Sequence, residues 1–231
     1  MAVMALRFGS LDTAARRQRI QWWSAKLLRL MGLALEVQGV PQPGPLLVVA
    51  NHVSWLDIAA LHAGCPQARF VSKADVLRWP LIGWLVRGAG TLFIERGKKR
   101  DALRVVHELA QALQDGDTVA VFPEGTTSDG RGVLPFHANL LQAAIAGGTP
   151  VQPVVLRFSD PRHAVSPAAE FVGDTTLLQS LWRLASAEGL RVQVRWLAPL
   201  PSANASRRDL ALSLQAVIAD ELMPTGERHS A

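Results

Sequence analysis

The chain has 231 residues, of which 49% are hydrophobic and 19% are charged, so it has enough apolar side chains for one large core and is not disordered over most of its length. The formal net charge of +5 suits partners that carry negative charge, such as anionic lipids or phosphorylated substrates, and from charge alone it equally suits a plain solvated basic surface. Nucleic acid is not expected as a partner, because the sequence has neither zinc-ligand spacing nor an aromatic RNA-binding signature.

The cysteine, histidine and tryptophan content indicates which kinds of site and which location to expect. Cys65 is the only cysteine, which excludes an internal disulfide framework and suits a reducing compartment. It lies in a turn-like stretch with no base nearby in the sequence, so we do not expect it to act as a nucleophile. The six histidines have no metal-ligand spacing, and no metal site is expected. Seven tryptophans, no tyrosine and a mean hydropathy of +0.16 favour a position where apolar and aqueous surroundings meet.

The first predicted element is an N-terminal helix within residues 1–36. Its apolar positions follow helical spacing and form one stripe, which comprises Ile20, Trp23, Leu27, Leu30 and Met31. Trp22 and Leu33 fall outside the stripe, so apolar surface is expected to remain exposed after the stripe has packed. Lys26 and Arg29 lie to one side of it, and this combination is typical of an amphipathic helix at a membrane surface. The alternative is a helix that is buried between two other elements.

No apolar segment of the sequence reaches the roughly 18 to 20 residues that a membrane-spanning helix needs. Residues 20–37 come closest, but they contain two basic residues and do not end in a signal-peptide cleavage site. We therefore expect the protein to lie on a membrane without crossing it, as a peripheral protein at the cytoplasmic face of the inner (cell) membrane.

Residues 37–231 are predicted to form one α/β domain. Short runs rich in β-branched residues predict strands at residues 46–50, 69–72, 91–95, 118–122, 151–158 and 190–197. Helical patterns lie between them at residues 55–63, 99–114, 137–146 and 176–187. This alternation predicts a single domain with a largely parallel, mixed sheet flanked by helices. In such sheets the chemistry collects in loops beyond the carboxyl ends of the strands.

The first candidate site follows the first of these strands, in the string NHVSWLD at residues 51–57. His52 and Asp57 could not face each other on one continuous helix, since five residues place them about 140° apart. A turn between them lets Asp57, in the first turn of the next helix, reach back to the His52 ring and leave the other ring nitrogen free as a base. The structural alternative is a capping box with Ser54 as the helix cap, a pattern that recurs at residues 206–209.

Two further strings also follow strands. FPEGTTS at residues 122–128 combines backbone N–H groups with hydroxyls in a turn, as an anionic phosphate requires, although this composition is also common in plain surface turns. GTLFIERGKKR at residues 90–100 places a basic cluster just beyond a strand, where it either binds phosphate or begins a solvated helix.

Together and in this order, the three strings resemble the PlsC-type glycerolipid acyltransferase family, in particular the bacterial 1-acyl-glycerol-3-phosphate acyltransferases. The positions that match the first two family blocks, NHxxxxD and GxxFxxR, are Asn51, His52, Asp57, Gly90, Phe93 and Arg96. The third block, FPEGT, matches residues 122–126, and a fourth matches loosely at residues 151–154. The resemblance runs from about residue 37 to residue 173.

This resemblance implies direct transfer of a fatty acyl group from acyl-CoA or acyl carrier protein to the free hydroxyl of lysophosphatidic acid, which gives phosphatidic acid in phospholipid synthesis. It implies that His52 is the general base and that Asp57 orients it. The residues that it implies for substrate binding are Asn51, Arg96, Glu124, Gly125 and Thr126, with ordering of the loop as the alternative role of Glu124. No bound cofactor is implied, since the acyl donor is a co-substrate.

Thr127 departs from the family pattern, which usually has arginine directly after FPEGT. Arg131 or Arg96 is the expected replacement in binding an acceptor phosphate. Bacterial members that acylate other lysolipids, such as lyso-ornithine lipid, look similar at this block, so lyso-ornithine lipid is the alternative acceptor. A non-catalytic peripheral lipid-binding protein is the alternative of another class. A lipase or thioesterase is disfavoured because the sequence has no GxSxG elbow.

Overall fold

The computed structural model describes residues 11–73, 92–94 and 99–223, and seven strands in this part of the chain form one sheet. The strands are β1 (Ala34–Gln38), β2 (Leu46–Ala50), β3 (Arg69–Lys73), β4 (Leu92–Ile94), β5 (Thr118–Val121), β6 (Val151–Ser159) and β7 (Arg191–Trp196). The helices of the same part are α1 (Thr13–Leu30), α2 (Asp57–Gly64), α3 (Lys99–Gln114), α4 (Gln142–Gly147), α5 (Leu177–Ala185) and α6 (Arg207–Leu222).

The sheet is mixed, with the strand order β1-β7-β6-β2-β5-β3-β4. Neighbouring strands pair in parallel except β6 and β7, which run antiparallel. The largely parallel sheet that the sequence predicts is thus confirmed. β2 lies between β6 and β5, so its carboxyl end is next to the end of β5 and beside the middle of β6.

The strands divide the core in two, because successive side chains of a strand point to opposite faces of the sheet. Every residue of β2 is buried: Leu46, Val48 and Ala50 belong to one core, and Leu47 and Val49 belong to the other. The first core includes residues of α1, α2 and α5, and the second includes residues of α3, α4 and α6. The result is three layers, and a continuous apolar run such as LLVVA is what a strand covered on both faces requires.

The first strand is absent from the sequence prediction, which assigns residues 34–36 to the N-terminal helical region. In the structure these residues belong to β1, which pairs in parallel with β7 from Ala34 opposite Arg191 to Gln38 opposite Arg195. The predicted boundary between residues 36 and 37 therefore lies inside a strand. β1 is an edge strand whose residues are exposed or half-buried, so it lacks the strong apolar pattern by which the other strands are predicted.

The remaining differences concern helices. The sequence predicts only a cap at Ser206, whereas the structure has the whole of α6, whose first turn the Ser206 hydroxyl caps by accepting from the Asp209 N–H at 3.5 Å. The predicted helix at residues 137–146 begins as a 3-10 helix, Ala138–Leu141, and continues as α4. Helix ends depend on local hydrogen bonds, which periodicity alone does not reveal.

Helix α1 packs against α2, and its buried residues are Ser24 and Leu28. Two details of the predicted stripe are therefore wrong, because Leu30 is 65% exposed and Leu33 is buried. Trp22 is exposed as the sequence predicts, at 43%. Neither α1 nor any other helix in the described part of the chain is long and apolar enough to cross a membrane. The interfacial role of α1 stays a prediction.

The docking of α1 can be tested with two leucines of the same helix. Leu28 is fully buried, so Leu28→Ala should lower the free energy of unfolding by about 2–5 kcal/mol through lost burial and a cavity. Leu30 is mostly exposed, and Leu30→Ala should change it by less than about 0.5 kcal/mol. Chemical denaturation of both variants measures the difference, and equal losses would contradict the orientation of α1.

Candidate active site

Two loops meet where β2 and β5 end. These strands are parallel neighbours with Val49 opposite Val121, so their carboxyl ends lie side by side in the sheet. Residues 51–57 follow β2, and residues 122–128 follow β5. The sheet therefore brings together two of the three strings that the sequence analysis singles out, although they are far apart in the chain.

The His52 ring and the Asp57 carboxylate are in direct contact, as the sequence predicts. Nδ1 of His52 lies 2.7 Å from Oδ2 of Asp57. Asp57 is the first residue of α2, and the turn that separates it from His52 allows the carboxylate to reach back to the ring. The Asp57 side chain is fully buried, whereas 20% of the His52 side chain is exposed. The pair thus has one end shielded from water and one end at the surface.

The same carboxylate oxygen also orders the turn. Oδ2 of Asp57 accepts hydrogen bonds from the backbone N–H of Val53 at 2.7 Å and of Ser54 at 2.9 Å. The alternative capping box is incomplete, because Leu56 occupies the cap position and the buried Ser54 hydroxyl has no hydrogen-bond partner among the described residues. Asp57 therefore acts on the turn and on the ring at once.

The surroundings of His52 determine where its proton lies. Nδ1 faces a carboxylate, so Nδ1 carries the proton in the neutral ring, and Nε2 is the nitrogen that can accept another. The ring stacks on Phe122, with the centroids 4.1 Å apart and the planes inclined by 14°. Phe122 in turn stacks with the buried Phe70 at 5.9 Å. Asp57 and Phe122 together fix the direction of the ring, as a general base requires.

The backbone of His52 is held on both sides by the loop after β5. Oε1 of Glu124 accepts from the His52 N–H at 2.7 Å, while Oε2 accepts from the Leu134 N–H at 2.8 Å. The N–H and the hydroxyl of Ser128 both donate to the His52 carbonyl oxygen, at 2.7 and 3.1 Å. Glu124 thus orders the loop, and its contact with substrate stays a prediction. The role of Ser128 has no sequence signal beyond its place in FPEGTTS, because its partner is a backbone atom.

Burial determines the charge behaviour of Glu124, which is only 3% exposed. Desolvation raises the pKa of its carboxyl above the ordinary value of 4.5, because burial disfavours the charged form. The hydrogen bonds from the backbone of Leu134 and His52 lower the pKa but do not cancel this effect. Ionisation of Glu124 therefore costs more free energy in the folded protein than in the unfolded chain.

Asn51 connects the candidate site to the next strand. It is fully buried, and its amide nitrogen donates to the Leu156 carbonyl at 2.9 Å while its amide oxygen accepts from the Leu156 N–H at 2.8 Å. Both ends of the side chain are thus used to join the end of β2 to β6. This role was not predicted from the sequence, and a contact of Asn51 with substrate stays a prediction.

Gly125 and Thr126 lie exposed on the loop after β5. Gly125 has a φ of +70°, and a Cβ atom there would come within 3.1 Å of the His137 ring, so conformation and space both favour glycine. The Gly125 N–H donates to the Phe122 carbonyl at 3.1 Å, which means that this group is engaged inside the turn. Binding of substrate by Gly125 and Thr126 stays a prediction.

The other residues named from the sequence lie elsewhere. Arg96 and Gly90 are outside the described residues. The Thr127 hydroxyl donates to the Phe171 carbonyl and so ties the loop after β5 to the segment that follows β6. Cys65 is fully buried, and burial raises the pKa of its thiol to about 11, which agrees with the prediction that it is not a nucleophile.

Comparison with known proteins identifies a family from the sequence. A family model described as Acyltransferase matches residues 34–157. The chain is 41% identical over 214 residues to the lyso-ornithine lipid O-acyltransferase of Pseudomonas aeruginosa, which covers 92% of this chain and 81% of that protein. It is 37% identical over 204 residues to the 1-acyl-sn-glycerol-3-phosphate acyltransferase of Neisseria meningitidis, which covers 84% of this chain and 78% of that protein.

A solved structure has a similar fold. The crystal structure of the 1-acyl-sn-glycerophosphate (LPA) acyltransferase PlsC from Thermotoga maritima superposes with a TM-score of 0.73 at 22% sequence identity. The match covers 100% of this chain and 90% of that one. At this sequence identity, the similarity shows that the two proteins share a fold.

The raised pKa of Glu124 predicts how the stability of a Glu124 variant depends on pH. A group that folding makes harder to ionise contributes its stability fully below pH 4.5 and loses it as the pH rises through the raised pKa. Glu124→Gln cannot ionise, but its NH2 group only donates, whereas the hydroxyl oxygen of a protonated carboxyl can still accept. The variant therefore leaves either the His52 or the Leu134 N–H unpaired. The variant should be less stable, by about 1–3 kcal/mol at low pH, with a deficit that shrinks towards neutral pH.

Urea denaturation of wild type and Glu124→Gln at a series of pH values measures this deficit. The same substitution at the exposed Glu188 serves as the control for a general effect of charge. A deficit that grows as the pH rises would show that the two N–H donors outweigh burial at Glu124.

Proposed function

The chain belongs to the PlsC-type acyltransferase family, and we propose on this premise that it transfers a fatty acyl group from acyl-CoA or acyl carrier protein to the free hydroxyl of a lysolipid. The observation that carries the proposal is the contact between the partly exposed His52 ring and the fully buried Asp57 carboxylate at the carboxyl end of β2. A base that is held by a buried carboxylate and open on one side can activate an acceptor hydroxyl.

The proposed reaction is a direct transfer. Nε2 of His52 takes the proton from the acceptor hydroxyl while the hydroxyl oxygen attacks the thioester carbonyl. The new ester bond forms, the carbon–sulfur bond breaks, and the proton passes from His52 to the leaving thiolate. Asp57 stabilises the positive charge that the ring carries in between. General-base catalysis of this kind contributes about 10² to 10⁴ in rate, and positioning of the two substrates must supply the rest.

Lysophosphatidic acid is the acceptor that the sequence resemblance implies, with Arg96 as the phosphate ligand. Lyso-ornithine lipid is the second candidate, and the engagement of Thr127 supports it. Thr127 stands where the family usually has arginine, and its hydroxyl is bound to the Phe171 carbonyl, so this position supplies no cation for a phosphate. The relatives that are similar to this chain include proteins named for each of the two acceptors.

The catalytic roles are tested by substituting each member of the pair. His52→Ala should lower kcat for acyl transfer at least about a hundredfold, because the base is lost. Asp57→Asn retains an oxygen that can accept from Val53 and Ser54 but lacks the charge that stabilises a protonated ring. It should also lower kcat, by at least about tenfold, because the base remains but its protonated form is no longer stabilised. The measurement is thiol release from acyl-CoA, with and without a lysolipid.

The chain offers a matched control for this experiment. His163 and Asp160 form a second, more exposed pair with an Nδ1–Oδ1 distance of 2.9 Å, and His163→Ala should leave kcat unchanged. Thiol release without a lysolipid would indicate a thioesterase, and no thiol release by the wild type would indicate a lipid-binding protein. Full activity of a well-folded His52→Ala variant would remove His52 from the mechanism.

We also propose that α1 holds the protein at a membrane surface. Trp22 is 43% exposed, it contacts Trp23 edge-to-face at 5.2 Å, and the Lys26 ammonium lies 4.7 Å from the Trp22 ring centroid. An exposed tryptophan beside a cation suits the boundary between lipid tails and anionic head groups. A position at the cytoplasmic face of the cell membrane stays a prediction.

Sedimentation with vesicles that contain anionic lipid tests this location. Trp22→Ser should lower the bound fraction severalfold, and high salt should lower it further because the contribution of Lys26 is screened. Leu103→Ser is the control, since Leu103 is 73% exposed on α3, on the opposite side of the sheet from α1. Equal binding of wild type and Trp22→Ser would contradict the role of α1.

A further inference from the structure

Three charged side chains lie next to the loop that holds His52, and we call Asp129, Arg131 and Glu170 the charged cluster. Asp129 directly follows Ser128, which donates two hydrogen bonds to the His52 carbonyl. Glu170 lies on the segment after β6 and directly precedes Phe171. The charged cluster is therefore joined to the candidate active site from both sides.

The segment that carries Glu170 is fixed in this place by two contacts. The Phe171 N–H donates to the Val53 carbonyl at 3.1 Å, and the Thr127 hydroxyl donates to the Phe171 carbonyl. Thr127 is the position at which the resembled family usually has arginine. Threonine at position 127 thus differs from the usual arginine in two ways. It carries no positive charge, and its hydroxyl binds the segment that contains Glu170 to the loop after β5.

The members of the charged cluster are close but loosely paired. The Arg131 guanidinium is 3.8 Å from a carboxylate oxygen of Asp129 and 3.8 Å from one of Glu170. The ion pair between Arg104 and Glu108 is much tighter at 2.9 Å, as is that between Arg191 and Glu36 at 3.1 Å. The Arg131 side chain is 63% exposed, so a ligand can contact it without breaking a strong bond.

Glu170 is a partly buried carboxylate that a cationic ligand can stabilise. Its side chain is only 17% exposed, so its carboxylate has lost much of its contact with water, while the cation of the charged cluster stays 3.8 Å away. A carboxylate in this situation gains from a second positive group that approaches more closely. The charged cluster as a whole has two acidic groups and one basic group, and its own field therefore repels a dianionic phosphate.

We propose that the charged cluster binds the head group of the acyl acceptor and that this head group is an amino-acid zwitterion, as in lyso-ornithine lipid. The carboxylate of the head group lies against Arg131, and its ammonium group lies between Asp129 and Glu170. This arrangement selects a zwitterionic lysolipid over lysophosphatidic acid. The inference rests on the proposed acyl transfer and adds the part of the site that chooses the acceptor.

The experiment compares two acceptors, lyso-ornithine lipid and lysophosphatidic acid, with labelled acyl-CoA and the full chain. Arg131→Gln and Glu170→Gln should each raise the KM for lyso-ornithine lipid roughly fivefold or more and leave kcat and the KM for acyl-CoA within about twofold. Glu170→Lys should lower the KM for lysophosphatidic acid, because it reverses the charge that repels phosphate. Thermal unfolding confirms that each variant is folded.

Glu36→Gln is the matched control. Glu36 is an ion-paired surface glutamate on β1, which two strands separate from β2, and its substitution should change neither KM. If Arg131→Gln and Glu170→Gln leave the KM for lyso-ornithine lipid unchanged while the wild type transfers acyl groups, the inference is overturned and the proposed function stands. If the wild type transfers acyl groups to neither acceptor, the proposed function fails as well.

Discussion

The burial of one carboxylate at the start of α2 is the constraint on which the candidate site depends. Asp57 is fully buried, and a charged group in that position is costly unless donors surround it. Oδ2 receives all of the hydrogen bonds that the described residues supply, from the Val53 N–H, the Ser54 N–H and the His52 ring. The first turn of a helix adds favourable backbone dipoles. The turn and the ring orientation are therefore two consequences of one electrostatic requirement.

The sheet supplies the second requirement, which is a fixed backbone at His52. Because β2 and β5 are parallel neighbours, the loop after β5 begins beside the loop after β2. Glu124 and Ser128 can then hold the N–H and the carbonyl of His52 from the same loop, while Asn51 holds the end of β2 to β6. A ring that is held at its backbone, its Nδ1 atom and its face loses little further freedom when a substrate binds.

The sequence predicts those parts of the structure that are determined by residues close together in the chain. Continuous apolar runs such as residues 46–50 predict the buried strands, and the turn between His52 and Asp57 predicts their contact. What the pattern misses depends on partners that are distant in the chain. β1 exists because it pairs with β7, and the burial of Leu28 instead of Leu30 depends on which side of α1 packs against α2. The bonds of Glu124 and Asn51 end on backbone atoms, which leave no mark on residue identity.

In the proposed mechanism, the acyl transfer and the choice of acceptor depend on different parts of the structure. In the proposed mechanism the His52–Asp57 pair acts through burial and short hydrogen bonds, so a substitution there is expected to alter the chemistry itself. Asp129 and Arg131 of the charged cluster are exposed, and the ion pairs of the cluster are long, so charges can change there without disturbing the sheet or the pair. Thr127 lies at the junction of the two regions and is bound to the segment after β6. On the proposed assignment, one scaffold keeps the same acyl transfer while loop residues set the charge of the head group that it accepts.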